Sequence, residues 1–300
     1  MPPRVRGAFG ACVSMTVLRN PEDIRREIDR IDEAIHDLIM RRTDVVAQIG
    51  DLNLANYAGY LRPGRQAEIV RRLIARHRGS FPRVNLVRLW NEMLGALIAI
   101  HGKFTLAVYM PERGAGYLEL ARDQFGAYAN ATVLRSVGQV VRAVADGQAT
   151  VGILPMPDRE DVEPWWISLM PDTPGIPRII ARLPFLGPGP GRGDGIEALA
   201  IARLPQDATG SDRSWIAVET AVDVSRARLR AALEAAGLEP TQFASTHHNG
   251  DFWLHLVELA GYVAPDDARL ARLTDKREPV QRVVLLGGYA VPLRAEEVTD

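Results

Sequence analysis

The chain has 300 residues, 47% of them hydrophobic, and a formal net charge of −1. That length has room for two or three domains with real cores, and the near-neutral balance argues against a nucleic-acid surface. A single cysteine, Cys12, excludes an internal disulfide framework and a cysteine-based metal cluster; no apolar run approaches the roughly 18 residues that a membrane helix needs.

Residues 1–19 open with Arg4 and Arg6, but their apolar stretch is short and broken by Gly10. No signal peptide is expected there. Met15 offers an alternative start, and the segment is expected to be disordered. Asn20-Pro21-Glu22-Asp23 then reads as a helix start: an N-cap amide, proline at the first helical position, and acids over the positive end of the dipole. Ile24, Ile28, Ile31, Ile35, Leu38, Val45 and Ile49 follow at steps of three and four, with one turn skipped at Arg42 and no glycine or proline before Gly50. A helix of about thirty residues, on the order of 45 Å long, is too long to be covered by its own domain. It needs a partner, and a second copy of the same helix is the simplest one.

Two more helices are expected before Gly102, the last carrying an apolar stripe of Leu86, Leu89, Trp90, Met93, Leu94 and Leu97 that leads to His101. Arginine is abundant, only Lys103 and Lys276 being lysine. Arg26, Arg30, Arg71, Arg72 and Arg76 are therefore expected on solvated faces.

Beyond Gly102 the pattern alternates between strands and helices. Strands are expected at 104–109, 131–134 and 151–154, with helices at 116–125 and 136–146, which implies a small parallel sheet with crossover helices. Gly187-Pro188-Gly189-Pro190-Gly191-Arg192-Gly193-Asp194-Gly195 is a connector. It is no phosphate cradle, since its prolines lack N–H groups and no helix follows. The last ninety or so residues read β-α-β-β-α-β: strands at 215–218, 242–245, 252–258 and 281–286, helices at 225–236 and 266–273, and a helix stop at Gly237. His247-His248 is not read as a metal site, because adjacent strand residues point apart and a third ligand is lacking.

The words Ile24-Arg25-Arg26-Glu27-Ile28-Asp29-Arg30-Ile31-Asp32, Arg41-Arg42, Val46-Ala47-Gln48-Ile49-Gly50 and Arg65-Gln66-Ala67-Glu68-Ile69-Val70, in unbroken spacing from Arg25 to Leu73, resemble the helical chorismate mutases. The resemblance implies an intertwined all-α homodimer that converts chorismate to prephenate by a pericyclic rearrangement, with no cofactor and no metal. A protein accelerates such a step by holding the folded conformer and matching its charge. Two substrate carboxylates call for guanidinium forks. The resemblance places Arg25, Arg42 and Arg65 there, Arg25 reaching in from the other subunit. Asn53 stands where the family has a lysine against the ether oxygen; lying eleven residues after Arg42, it is about 20° away around a helix and faces the same pocket. Arg62 and Gln66 replace two acids, Leu97 a serine and His101 a glutamine. The implied catalytic set is Arg25, Arg42, Asn53, Arg65, Gln66 and His101; Arg62 and Leu97 join the arginines in holding substrate.

Met110-Pro111-Glu112, the helix from Ser136 and Gly152-Ile153-Leu154-Pro155-Met156 resemble the first lobe of prephenate dehydratase, a domain that follows a mutase domain in bifunctional chains. The dehydratase words are gone, however. Pro155-Met156-Pro157-Asp158-Arg159 stands for Pro-Ile-Glu-Asn-Ser, and Ile196-Glu197-Ala198 for the catalytic Thr-Arg-Phe, and the second lobe is missing. No dehydratase activity is expected. The C-terminal pattern, with Gly237-Leu238 and Leu286-Gly287-Gly288-Tyr289, resembles an ACT regulatory domain, but the phenylalanine-binding words are reduced to Val224-Ser225-Arg226 and Ala244-Ser245-Thr246-His247.

The sequence thus implies a multidomain chain. It comprises an all-α three-helix intertwined-dimer domain (20–102), a degenerate α/β parallel-sheet lobe (104–186), a Gly/Pro linker (187–195), and a returning strand with an α+β ACT-like domain (196–295). The expected function is chorismate mutase in aromatic amino acid biosynthesis, weakened by the site substitutions and without dehydratase activity, in a cytoplasmic homodimer without nucleic-acid or membrane partners. The alternatives are a non-catalytic chorismate-binding partner of a shikimate-pathway enzyme and an isochorismate pyruvate lyase-like activity.

Overall fold

The computed structural model describes residues 20–51, 61–100, 102–111, 116–158, 164–171, 173–186, 195–275 and 279–298. The chain divides into two units, residues 1–54 and 55–300.

The described part of the first unit is one helix, α1 (Pro21–Asp51). Asn20 caps it as its residue type requires: Oδ1 accepts the Glu22 N–H at 3.0 Å, and its carbonyl accepts from Asp23 and Ile24, both at 3.1 Å. The apolar stripe forms in the expected register and lies in the open, with Ile28 51% and Leu38 63% exposed. Arg25–Glu22, Arg26–Asp23 and Arg30–Glu27 pair along its surface. Each such pair stabilises a helix by only a few tenths of a kcal/mol, so the exposed stripe dominates the helix's interaction chemistry.

The second unit begins with α2 (Pro63–Arg76) and α3 (Arg83–Ile100). It continues through β1 (Thr105–Tyr109), α4 (Gly116–Phe125), β2 (Asn130–Leu134), α5 (Val137–Ala145), β3 (Val151–Pro155), a 3₁₀ turn (Trp165–Leu169), β4 (Arg178–Leu183) and β5 (Ala198–Ala202). Then come β6 (Asp212–Ala221), α6 (Arg226–Ala235), β7 (Pro240–Asn249), β8 (Phe252–Ala260), α7 (Ala268–Leu273), β9 (Val280–Ala290) and a last turn, α8 (Ala295–Val298).

The nine strands among the described residues share one sheet, in the order β2-β1-β3-β5-β4-β9-β6-β8-β7. β2, β1 and β3 are parallel, as strand–helix alternation predicts. β5 and β4 then run antiparallel, so this half of the sheet is mixed rather than parallel. The strands β6 to β9 have the anticipated β-α-β-β-α-β order and pair antiparallel throughout. The two halves join through a parallel contact of β4 with β9 at Ile179↔Gly287. The sheet therefore runs without a break across the stretch where separate domains were expected; of the Gly/Pro connector, residues 187–194 lie outside the described residues. The strand β4 and the 3₁₀ turn were not anticipated.

Helices cover both faces. α5 and the 3₁₀ turn bury Val140, Val144, Trp166 and Leu169 in a core that also holds Trp215, Leu286 and Tyr289, and so spans both halves. α4 contributes Leu120 and Phe125 to a second core with Leu106, Ile153 and Ala200. α6 and α7 seal the third with Leu229, Leu233 and Leu273 against Ile216 and Val257. α2 lies where the halves meet, its Ala67, Val70 and Ile74 packed with Val87 of α3, Phe185, Ala290 and Leu293. The expected boundary at 102–104 is thus not a break in packing. α3 lies against α4 so closely that a Cβ on Gly95 would sit 2.2 Å from the Phe125 carbonyl oxygen.

Candidate functional site

Two of the sequence-predicted residues lie on α1. Arg25 is exposed and its Nη1 donates to Glu22 Oε1 at 2.7 Å. Arg42 is partly buried, and that burial holds its guanidinium below the ordinary arginine value. Its Nη1 is enclosed and has no hydrogen-bond partner among the described residues. An enclosed cationic donor of this kind is satisfied by an oxyanion.

Three others occupy the first turns of α2. Arg65 is exposed, its Nη1 2.8 Å from Glu68 Oε2 one turn on. Arg62 forks onto Asp207 in the β5–β6 connection, Nη2 to Oδ1 at 2.8 Å and Nε to Oδ2 at 3.2 Å. Gln66 is buried: its Nε2 donates to Asn91 Oδ1 at 3.0 Å and to the Gln124 carbonyl at 3.1 Å, tying α2 to α3 and α4. Asn91 in turn donates to the Asp123 carbonyl at 3.1 Å. Leu97 is buried on α3. Asn53 and His101 lie outside the described residues. Within the second unit, then, Arg62, Arg65 and Gln66 share one helix end, with Gln66 directed into the helix junction.

Arg71 corrects the solvated-face expectation. Its Nη1 donates to Thr209 Oγ1 at 2.9 Å, and its Nη2 donates to the carbonyls of Ser211 at 3.0 Å and Val291 at 2.6 Å. Burial lowers its pKa, with Asp212, Glu297 and Glu68 pulling the other way. Asp212 is itself buried and accepts from Thr209 Oγ1 and from the N–H groups of Thr209 and Gly210. Arg62 and Arg71 together fasten α2 to the β5–β6 connection. Arginine abundance hid this role, because the partners are distant in sequence.

A second polar chain crosses the sheet. Arg182 on β4 clasps Glu197, with Nη2 2.8 and 2.9 Å from its two oxygens, and its Nη1 donates to Tyr289 Oη at 3.0 Å. Tyr289 donates to Glu258 Oε1, and Thr241 donates to Glu258 Oε2 at 2.5 Å. Burial works to lower the Arg182 pKa, but Tyr289 and Glu197 more than offset it and the group stays firmly charged. Burial and the adjacent Glu258 raise the Tyr289 phenol, so it stays protonated as the donor.

Comparison with known proteins bears on the helical segment first. Residues 24–102 match the family model Chorismate mutase type II. The bifunctional chorismate mutase/prephenate dehydratase of Aquifex aeolicus is 27% identical over 139 residues, which is 45% of this chain and 38% of that protein. The protein of the same description from Stutzerimonas stutzeri is 25% identical over 138 residues, 44% of this chain and 38% of its own. The chain thus spans under two fifths of the length of the curated relatives it matches. Among solved structures, prephenate dehydratase from Streptococcus mutans aligns with 63% of this chain and 98% of its own, at 16% identity and a TM-score of 0.45. Prephenate dehydratase from Arthrobacter aurescens, solved with L-Phe, aligns with 64% and 91% at 14% identity and a TM-score of 0.46.

Proposed function

We propose that residues 20–102 bind chorismate and catalyse its rearrangement to prephenate, in a homodimer built on α1. The observation that carries this reading is Arg42: a partly buried guanidinium with an enclosed Nη1 that has no partner among the described residues, inside the segment that matches the family model. Arg25 and Arg65 are engaged in exposed pairs one helical turn long. Such pairs are worth well under 1 kcal/mol and exchange readily for a substrate carboxylate. The exposed stripe of α1, from Ile24 to Val45, supports a second copy of the helix as its cover.

In this reading Arg25 from one subunit and Arg42 and Arg65 from the other grip the two carboxylates and hold chorismate folded. Asn53 and His101 face the ether and hydroxyl side, and Arg62 and Leu97 bound the pocket. Gln66 takes part through Oε1, its Nε2 being engaged with Asn91 and Gln124. The reaction needs no proton transfer and no cofactor, so positioning and charge complementarity supply the rate. An amide at Asn53 in place of a cation makes a slower enzyme, by about 10²–10³. The C-terminal strands β6 to β9 are assigned as an ACT-like region, on their β-α-β-β-α-β order, and no dehydratase step is assigned to the chain.

One observation favours a non-catalytic chorismate binder as the second reading: Arg62 is forked onto Asp207 and Gln66 is committed to a helix junction, so neither replaces the acid implied at its position. The purified chain incubated with chorismate separates the two. Prephenate should appear, and Arg42→Ala should cut the rate by about 10²-fold or more. Saturable chorismate binding without turnover selects the binder; neither binding nor turnover ends both readings.

A further inference from the structure

The sheet is whole at Ile179↔Gly287, the residue couple at which β4 and β9 pair. Towards the start of β4 the two strands part, and the gap is a cleft of about 740 Å³. That volume is within the range of small-molecule sites. Ile176, Leu204, Val263, Leu270, Val283 and Leu285 make its apolar wall. Arg178, Arg203 and Arg282 also line it, and among its described lining residues there is no aspartate or glutamate.

Arg178 and Arg282 are anchored by main-chain carbonyls. Arg178 Nη1 donates to the Leu169 carbonyl at 2.7 Å, and Arg282 Nη2 donates to the Met170 carbonyl at 2.9 Å. These main-chain anchors from the 3₁₀ turn fix the two side chains at the rim. Arg203 lies over the α5–β3 turn, its Nη2 2.9 Å from where a Cβ on Gly147 would stand. Neither Arg203 nor Arg282 has an ion-pair partner among the described residues. Of the acids that act on Tyr262 at the cleft, Asp207 is paired with Arg62 and Asp212 accepts from Thr209 and Gly210, while Asp266 is an exposed residue outside the lining. Gln206 Oε1 is enclosed beside the cleft without a hydrogen-bond partner among the described residues.

We infer that this cleft binds a small carboxylate with an apolar body, its carboxylate on Arg203 and Arg282 and its body against Val283, Leu285 and Leu270. Charge selects an anion. The wall selects against inorganic phosphate, which has no surface to bury there. Planar guanidinium donors match a carboxylate in geometry. The site does not rest on the mutase reading: every described lining residue lies beyond residue 170, on β4, β9, α7 and the connections beside them.

The test uses the full chain and three probes: 3-phenylpropionate, its neutral counterpart 3-phenylpropan-1-ol, and inorganic phosphate. Titration calorimetry and thermal unfolding should show one saturable site for the acid at millimolar concentration or below, with a concentration-dependent rise in Tm. The alcohol and phosphate should each bind at least tenfold more weakly. Arg203→Ala, at an exposed position, should weaken the acid about tenfold without altering the unliganded Tm, consistent with one lost charge-assisted hydrogen bond. Arg42→Ala should leave binding of the acid unchanged. Equal binding of acid and alcohol, equal affinity in Arg203→Ala, or loss of binding in Arg42→Ala would each overturn the assignment. So would no saturable binding, or phosphate binding as tightly as the acid.

Discussion

Gly287 of β9 lies against the main chain of Ile179 in β4, so close that a Cβ at 287 would stand 2.3 Å from the Ile179 carbonyl oxygen and 2.7 Å from its nitrogen. The same glycine has φ +108, a conformation side chains rarely adopt. Both conditions are met only by glycine, and this is where the two halves of the sheet join. Gly287→Ala should therefore cost about 2–4 kcal/mol, from backbone strain and forced separation of the strands. Urea unfolding checks it; a loss below about 0.5 kcal/mol would mean that the junction relaxes freely.

Tyr289, two residues on, links the halves through side chains. Its hydroxyl accepts from Arg182 at 3.0 Å and donates to Glu258, which is 5% exposed. Tyr289→Phe keeps the ring and leaves a buried carboxylate short of a donor. The expected loss is about 1–3 kcal/mol. Arg182→Met alone should destabilise too, and the double variant should lose less than the sum, because the two act on one chain of hydrogen bonds. Strict additivity would show that the links are independent.

His255 sets a pH dependence. Burial, aided by Arg226, lowers its pKa from 6.5 to about 4. It is 5% exposed, with Nε2 3.2 Å from Thr220 Oγ1. As pH falls, the unfolded chain takes up the proton first. The contribution to stability is complete above pH 6.5, declines between 6.5 and about 4, and is flat below. The full decline is on the order of 3 kcal/mol. His255→Leu should lack that slope, and unfolding midpoints across the window decide it; an unchanged slope would place the titration elsewhere.

Gln66→Glu restores the residue type that the family resemblance implies, yet it should not restore rate. The buried Nε2 now donates to Asn91 Oδ1 and to the Gln124 carbonyl. A carboxylate oxygen there would face two acceptors, at a cost of about 2–4 kcal/mol. Circular dichroism melts and chorismate turnover on the same variant test this together. A stable and faster variant would show that the side chain at position 66 can leave Asn91 and Gln124 without loss.

Much of the architecture was readable before the structure. α1 follows from a 3.6-residue apolar period with an Asn20 cap, both of which are local. α4 spans residues 116–125 as its pattern predicts, and the strands of the C-terminal half lie within a few residues of their expected bounds. The strand β4 escaped because Arg178 and Arg182 interrupt its apolar run, and their partners, Leu169, Glu197 and Tyr289, lie in other elements. Arg71 escaped for the same reason. A periodic pattern shows which face of a helix is polar, but not whether that face meets water or the carbonyls of a distant loop.

The register of arginines in 24–102 and the identities of most helices and strands, β4 and the 3₁₀ turn apart, were set by residue order alone, because caps, periodicity and turn glycines act over a few residues. The merging of two half-sheets at Ile179 and Gly287, the commitment of Gln66 to Asn91, and the arginine-lined cleft beside β9 were decided by tertiary structure. They depend on which backbones approach within a few ångströms, and such approaches join residues with no periodic relation along the chain.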